Sequence, residues 1–423
     1  MVFLNLGTAV LGLGSTSATT LTDVTSPLSL WLPLALLTLG SVYAGRRWWA
    51  KSRMPAAQFL VPTSSTYPSL LYTQVRKVPY YRFLGDFLAN RVEIRDRSGL
   101  GLGPLDHYVA FTWNLRTLLT FVFQILPRWI WHSKRSDRLD WCRFHDDRDD
   151  LFEYLLGRQR IPCSNYYPDP DLDLVTAQDA LLQRVSSQYL ELNDDDRVLT
   201  MGSGWGTLEL LLLSDHSAFV TSVFTSVEQA NYAQALYERA GMEHRAQVEV
   251  CDLRDIPAQN QFTKLVGLEY VDWVGTKNLG DFFRHCRDLL VPGGLLVFQC
   301  TVTPSAFSTS FSQFLAEPFH YHLYTLSTIF PGRDTPLFAT FSDYVHQIEQ
   351  AGLELVQVEN ISTDAALTYA SWFRGWDQAR QQVEIKFGAE LYRQWELYLA
   401  WSSSIFERGK LQRFTMVVRK KLE

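Results

Sequence analysis

The run Val198-Leu199-Thr200-Met201-Gly202-Ser203-Gly204-Trp205-Gly206 constrains this chain more than any other segment. It reads as an apolar strand that breaks into a G-x-G-x-G turn and resumes as a helix from about Thr207 to Leu213. Glycine needs no room for a Cβ, and the first helical turn presents unpaired N–H groups, so such a turn suits a nucleotide-like ligand. Gly-rich strand-to-helix turns also serve close packing alone, so the order of the downstream elements decides. Ala218 to Phe224 alternates as a second strand ending at Thr225-Ser226, ahead of a helix over Val227 to Ala240. Gln247 to Cys251 is a third strand closed by Asp252, and Phe262 to Leu268 a fourth closed by Glu269. Next come a helix from about Asn278 to Leu290, the turn Pro292-Gly293-Gly294 and the strand Leu295 to Phe298. Strands alternating with helices at this spacing predict an α/β fold with a doubly wound parallel sheet. Its ligand crevice should lie off the strands' carboxyl ends, where Gly202, Gly204, Thr225, Asp252 and Glu269 all fall.

Several classes are disfavoured. A dinucleotide-binding domain would want G-x-G-x-x-G and an acidic residue closing the second strand, and neither is present. A net charge of −6 argues against a nucleic-acid partner. The cysteines at 142, 163, 251, 286 and 300 show no metal-ligand spacing and fit reduced thiols. His285-Cys286 within a helix reads as packing or surface.

The glycine turn, with Asp after the third strand and Pro-Gly-Gly before the fifth, resembles the class I, Rossmann-like, S-adenosylmethionine-dependent methyltransferases. Further segments resemble one family within them, the cyclopropane-fatty-acyl-phospholipid synthases, with the mycolic acid cyclopropane synthases and fungal sphingolipid methyltransferases. They are G-S-G-W-G with Trp205, Ser226-Val227-Glu228-Gln229, Cys251 to Asp255, and Val274 to Asn278 leading into Phe282-Phe283. Upstream stand His145-Asp146-Asp147, Asp150-Leu151-Phe152, Pro162 to Tyr166, Ala177-Gln178 and Gly99 to Gly103; downstream stands Thr328 to Gly332. The resemblance implies S-adenosylmethionine as cofactor, held by Gly202, Ser203, Gly204, Trp205, Gly206, Thr225, Ser226, Gln229, Asp252, Leu253, Arg254 and Glu269.

Departures from the family pattern bear on chemistry. Thr200 stands where the family has an aspartate bracing the glycine turn. Methylating an alkene gives a cationic chain that must lose a proton, and the family is thought to use bicarbonate held by a Cys backbone, a Glu, a His and a Tyr. The corresponding catalytic candidates are Cys163 (or Ser164), Asp272 for the Glu and Gln299 for the His, with no Tyr between Thr363 and Ala365. Asp272 is shorter by one methylene, and Gln299 cannot titrate. These departures put bicarbonate-assisted ring closure in doubt. Three outcomes stay open: methyl transfer to a lipid acyl chain or other apolar substrate, tailoring N-, O- or C-methylation of a natural product, and a catalytically inactive binding protein.

Three regions are expected: residues 1–53, 54–140 and 141–423. In the first, residues 28–45 are about 18 apolar residues without charge, ahead of Arg46-Arg47-Trp48-Trp49, which reads as a transmembrane anchor. No Lys or Arg precedes residue 46, so the catalytic domain is expected to face the cytosol on a single-pass membrane protein, with the endoplasmic reticulum one option. Residues 54–68 read as a linker, and 108–131 as an amphipathic helix on the membrane surface or in the core. Residues 303–410 are expected to form the lid and lipid pocket, with helices from Ala365 to Arg408 and a final edge strand from Arg413 to Arg419. Thirteen tryptophans suit an apolar substrate, a lipid partner and a membrane.

Overall fold

The computed structural model describes residues 60–63, 77–94, 102–112, 114–127, 149–304, 317–330 and 339–422. Its centre is a seven-stranded sheet. The strands are β1 (Arg197–Met201), β2 (Phe219–Phe224), β3 (Ala246–Val250), β4 (Phe262–Gly267), β5 (Leu290–Val302), β6 (Leu353–Asn360) and β7 (Gln412–Lys420). Their order across the sheet is β6-β7-β5-β4-β1-β2-β3. β1 to β5 pair in parallel, and β7 runs antiparallel to both β5 and β6. The strand order reverses beside β1, so the crevice at that switch point opens above the glycine turn.

Seven helices position the site: α1 (Leu174–Arg184), α2 (Thr207–Asp215), α3 (Val227–Arg239), α4 (Leu279–Leu289), α5 (Phe341–Gln350), α6 (Ser362–Gln378) and α7 (Ala389–Glu407). Side-chain caps set several starts. Asp173 accepts the Thr176 N–H at the head of α1, Ser226 accepts the Gln229 N–H at the head of α3, and Thr340 with Asp343 forms a capping box on α5. One apolar core buries Phe282, Phe283 and Leu289 of α4 with Tyr344 and Ile348 of α5. Another buries Leu208 and Leu212 of α2 with Ala230 and Tyr237 of α3. These two cores cover the sheet as a helix-sheet-helix sandwich demands. A third core is dominated by aromatics: Trp372, Trp376, Trp395 and Trp401 of α6 and α7 close on Phe83, Tyr108 and Phe152.

The structure corrects several expectations. Residues 28–45 lie outside the described residues, and among those described no helix is long and apolar enough to cross a membrane. The described residues therefore do not support the expected single-pass membrane protein with its cytosolic catalytic face. Low charge is necessary for a span but not sufficient, and about 18 residues is near the shortest length that crosses ~30 Å of hydrocarbon. Within the expected helix 108–131, Tyr108 ends a helix that begins at Leu102, Val109-Ala110 pairs with Val78-Pro79, and Asn114 caps a new helix at Leu115. In the expected linker, Leu60–Pro62 pairs antiparallel with Val92–Ile94.

The sheet differs from the expected one in three ways. Pro292-Gly293-Gly294 is a bulge inside β5, marked by the register shift opposite Phe262 and Lys264, rather than a turn before it. β7 is not the edge strand: β6 lies outside it and was not legible in the sequence. The sheet is accordingly mixed rather than parallel throughout.

Candidate active site

The G-x-G-x-G turn leaves β1 with Gly202, Gly204 and Gly206 at φ of +65°, +93° and +90°. A Cβ on Gly204 would sit 2.7 Å from Pro162 Cδ, and one on Gly206 would sit 2.8 Å from Ala233 Cβ. Packing thus requires glycine at both positions. Trp205 is fully buried, its ring 5.0 Å from that of Phe152, so it anchors the turn to the helix Asp149–Leu156.

Above the turn lies a cleft open to solvent, with about 580 Å³ of empty space including its open mouth. Its lining brings Gly202, Gly204, Gln229 and Glu269 together with Trp273, Phe330, Tyr369, Trp372, Trp395 and Tyr398. The rings of Phe330 and Trp395 each stand edge-on to Tyr398 at 5.5 Å, and the hydroxyls of Tyr369 and Tyr398 are 3.2 Å apart. One cavity therefore joins a glycine turn to an aromatic box.

The other expected cofactor residues occupy the same rim. Ser226 is buried as the cap of α3. Thr225 comes directly after β2. Asp252 lies just past β3 and accepts from Arg254 N–H at 2.9 Å and Arg254 Nε at 2.7 Å. Leu253 is buried beneath it. Ser203 lies inside the turn, its hydroxyl donating to Glu209 of α2, as does the hydroxyl of Thr200. The carboxylate expected at the end of β1 is thus delivered from the helix instead. S-adenosylmethionine would fit this donor set: turn and helix N–H groups would answer its carboxylate, and Asp252 and Glu269, each also paired with an arginine, would accept from its hydroxyls and ammonium.

Two of the expected catalytic residues, Asp272 and Gln299, join one network through Arg413, and Cys163 is buried. Asp272, 3% exposed, accepts from Thr301 N–H at 2.9 Å, Thr301 Oγ1 at 2.8 Å and Arg413 at 3.1 Å. Gln299 accepts the Ser164 N–H at 3.2 Å and donates to the Ser164 carbonyl at 3.1 Å. Cys163 is buried, and burial first, then the charge of Glu269, pushes its thiol up. Arg413 from β7 joins Asp272 to Glu269, whose carboxylate it meets at 2.5 Å. Burial opposes the Arg413 charge, yet Glu269 and Asp272 hold its pKa above the ordinary guanidinium value.

A bicarbonate does not fit these residues. The Ser164 N–H is taken by Gln299, and both oxygens of Asp272 are taken by Thr301 and Arg413. Sequence reading missed Arg413, Glu209, Tyr369 and Tyr398, whereas Trp372 and Trp395 belong to the run from Ala365 to Arg408 expected to form the lipid pocket. The one local signal for Glu209 was a carboxylate inside the apolar run Leu208 to Leu213.

Known proteins resemble this chain in sequence and in fold. The sequence profile of mycolic acid cyclopropane synthetase matches residues 132–416. Sphingolipid C9-methyltransferase 1 of Gibberella zeae is 29% identical over 83% of this chain and 67% of its own length. Sphingolipid C9-methyltransferase B of Emericella nidulans is 30% identical over 74% of this chain and 59% of its own length. The chain therefore spans roughly three fifths to two thirds of these relatives. The crystal structure of mycolic acid cyclopropane synthase CmaA1 with SAH and CTAB superposes with a TM-score of 0.62 at 18% identity. It covers 67% of this chain and 98% of that one, which shows the shared α/β methyltransferase fold.

Proposed function

Because this chain belongs to the mycolic acid cyclopropane synthetase family, a family of S-adenosylmethionine-dependent methyltransferases, we propose that it transfers a methyl group to a lipid chain. The observation that carries the reading is the single cleft running from Gly202 and Gly204 to the aromatic box. An apolar chain entering past Trp273, Phe330 and Trp395 would reach the donor end near Glu269 and Gln229. The names of the fungal relatives favour a sphingolipid acceptor.

When bound, S-adenosylmethionine supplies an electrophilic methyl group. The chain's own contribution is to hold that group in line with the acceptor and to exclude water. The glycine turn and Gln229 orient the donor, while the buried aromatic faces present the acceptor. Those faces also favour positive charge developing on the acceptor, as π-systems do. For an alkene acceptor a proton must leave the cationic chain. Glu269 is the ionisable side chain among the described cleft residues other than the tyrosines, so it is the candidate to receive that proton.

The test is incubation of the full chain with methyl-labelled S-adenosylmethionine and purified sphingolipids or unsaturated phospholipids. Label in a lipid carbon that survives saponification supports the reading. Label in neither lipid class, from protein that binds the cofactor, overturns the lipid acceptor and favours tailoring methylation of another small molecule.

A further inference from the structure

Beneath the glycine turn lies a carboxylate that matches none of the expected cofactor or catalytic positions. Glu209, in the first turn of α2, has no exposed surface. Thr200 Oγ1 at the end of β1 and Ser203 Oγ inside the turn both donate to its Oε1. The two hydroxyls flank Met201-Gly202, so a single oxygen ties the strand end to the turn across the glycine that lines the cleft.

Burying a carboxylate in this apolar helix is costly without compensation. Hydrogen bonds from two hydroxyls to Oε1 and the positive end of α2 offset part of that cost, while Oε2 is buried without a hydrogen-bond partner among the described residues. The same pocket packs Tyr237, whose hydroxyl is 3.2 Å from Ser222 Oγ and 2.9 Å from where a Cβ on Gly206 would stand. Turn, helix and strand therefore meet at one carboxylate.

We propose that Glu209 is a positioning residue for the methyl donor, holding Thr200 and Ser203 so that the Gly202 and Gly204 peptides keep the spacing the donor needs. The inference rests on the reading of this cleft as a donor site. Glu209 is absent from the cleft lining and acts through the turn alone.

The experiment is calorimetric titration of S-adenosylhomocysteine into the full chain and its variants. Absence of binding by the wild-type chain overturns the donor reading, and the role of Glu209 with it. With wild-type binding established, Glu209→Ala and Glu209→Gln should weaken affinity roughly tenfold to a hundredfold, the range of hydrogen bonds to a charged group. Thr200→Asp added to Glu209→Ala returns a carboxylate to the same space and should recover most of the affinity. A merely structural role would lower the unliganded melting midpoint and leave affinity in the folded fraction untouched. Wild-type affinity in folded Glu209→Gln overturns the proposal, as does a loss in Glu209→Ala that Thr200→Asp fails to recover.

Discussion

Gln299 and Ser164 are bonded twice although 135 positions separate them: the Gln299 carbonyl accepts the Ser164 N–H at 3.2 Å, and its amide donates to the Ser164 carbonyl at 3.1 Å. The side chain acts as a backbone mimic that fastens the Pro162–Tyr166 segment to β5. Gln299→Leu would leave a buried N–H and C=O without partners. A stability loss of about 2 to 4 kcal/mol is expected, at ~1–3 kcal/mol per unsatisfied group with partial relaxation, measured by urea unfolding. A loss under a few tenths would show that the pair contributes nothing.

The same pair has a consequence for cofactors. With the Ser164 N–H occupied and Asp272 fully engaged, added bicarbonate should leave the methyl-transfer rate unchanged. Assay in carbon-dioxide-free buffer, with and without bicarbonate, checks this; stimulation by bicarbonate would refute the closed network.

Arg413 holds two carboxylates, the partly exposed Glu269 and the buried Asp272, at 2.5 and 3.1 Å. Arg413→Met removes the cation that both carboxylates share. The uncompensated charges should cost about 3–5 kcal/mol of stability, read from urea or thermal unfolding. Arg413→Lys keeps the charge without the fork that reaches both carboxylates, and should fall between.

Gly204→Ala places a Cβ 2.7 Å from Pro162 and 2.8 Å from the Arg160 carbonyl, at a φ of +93°. Strained backbone of this kind costs on the order of 1–3 kcal/mol. The turn should shift and S-adenosylhomocysteine affinity should drop by at least about tenfold. Unchanged affinity in calorimetry would mean that the turn does not touch the donor.

Burial raises the Glu209 carboxyl above its ordinary value, against the lowering effect of Ser203 and Thr200. Between the ordinary and the raised pKa, the folded state keeps a proton that the unfolded state has released. Stability should therefore fall as pH rises through that window and level off above it. Glu209→Gln should flatten the slope there, measured as urea midpoints across mildly acid to neutral pH; identical slopes would count against the shift.

Much of the sheet was legible because its signals are local. β1 to β4 and α2 to α4 lie within about two residues of the sequence reading, the usual uncertainty of element ends, since buried parallel strands and amphipathic helices declare their period. β6 was not legible: its positions alternate Glu354, Gln357 and Glu359 with modest apolar residues, and most of the strand is exposed. An edge strand with one poorly covered face carries little pattern. The region 108–131 misled because apolar content without period does not distinguish one helix from a helix, a strand pair and a second helix.

Of the site, the sequence determined the glycine turn, the rim residues at the strand ends and the family, because each depends on short segments whose geometry is set by neighbours along the chain. Tertiary structure alone decided that Arg413 meets Glu269 and Asp272, that Gln299 closes on Ser164, and that Glu209 supplies the carboxylate missing at Thr200. Gln299 stands 135 positions from Ser164, and Arg413 stands 144 from Glu269. Glu209 is only nine positions from Thr200, yet its meeting with that hydroxyl needs the strand and the helix folded back on each other. Local propensity sets which element a residue joins; burial and hydrogen-bond demand, felt only once the layers close, set what its side chain meets.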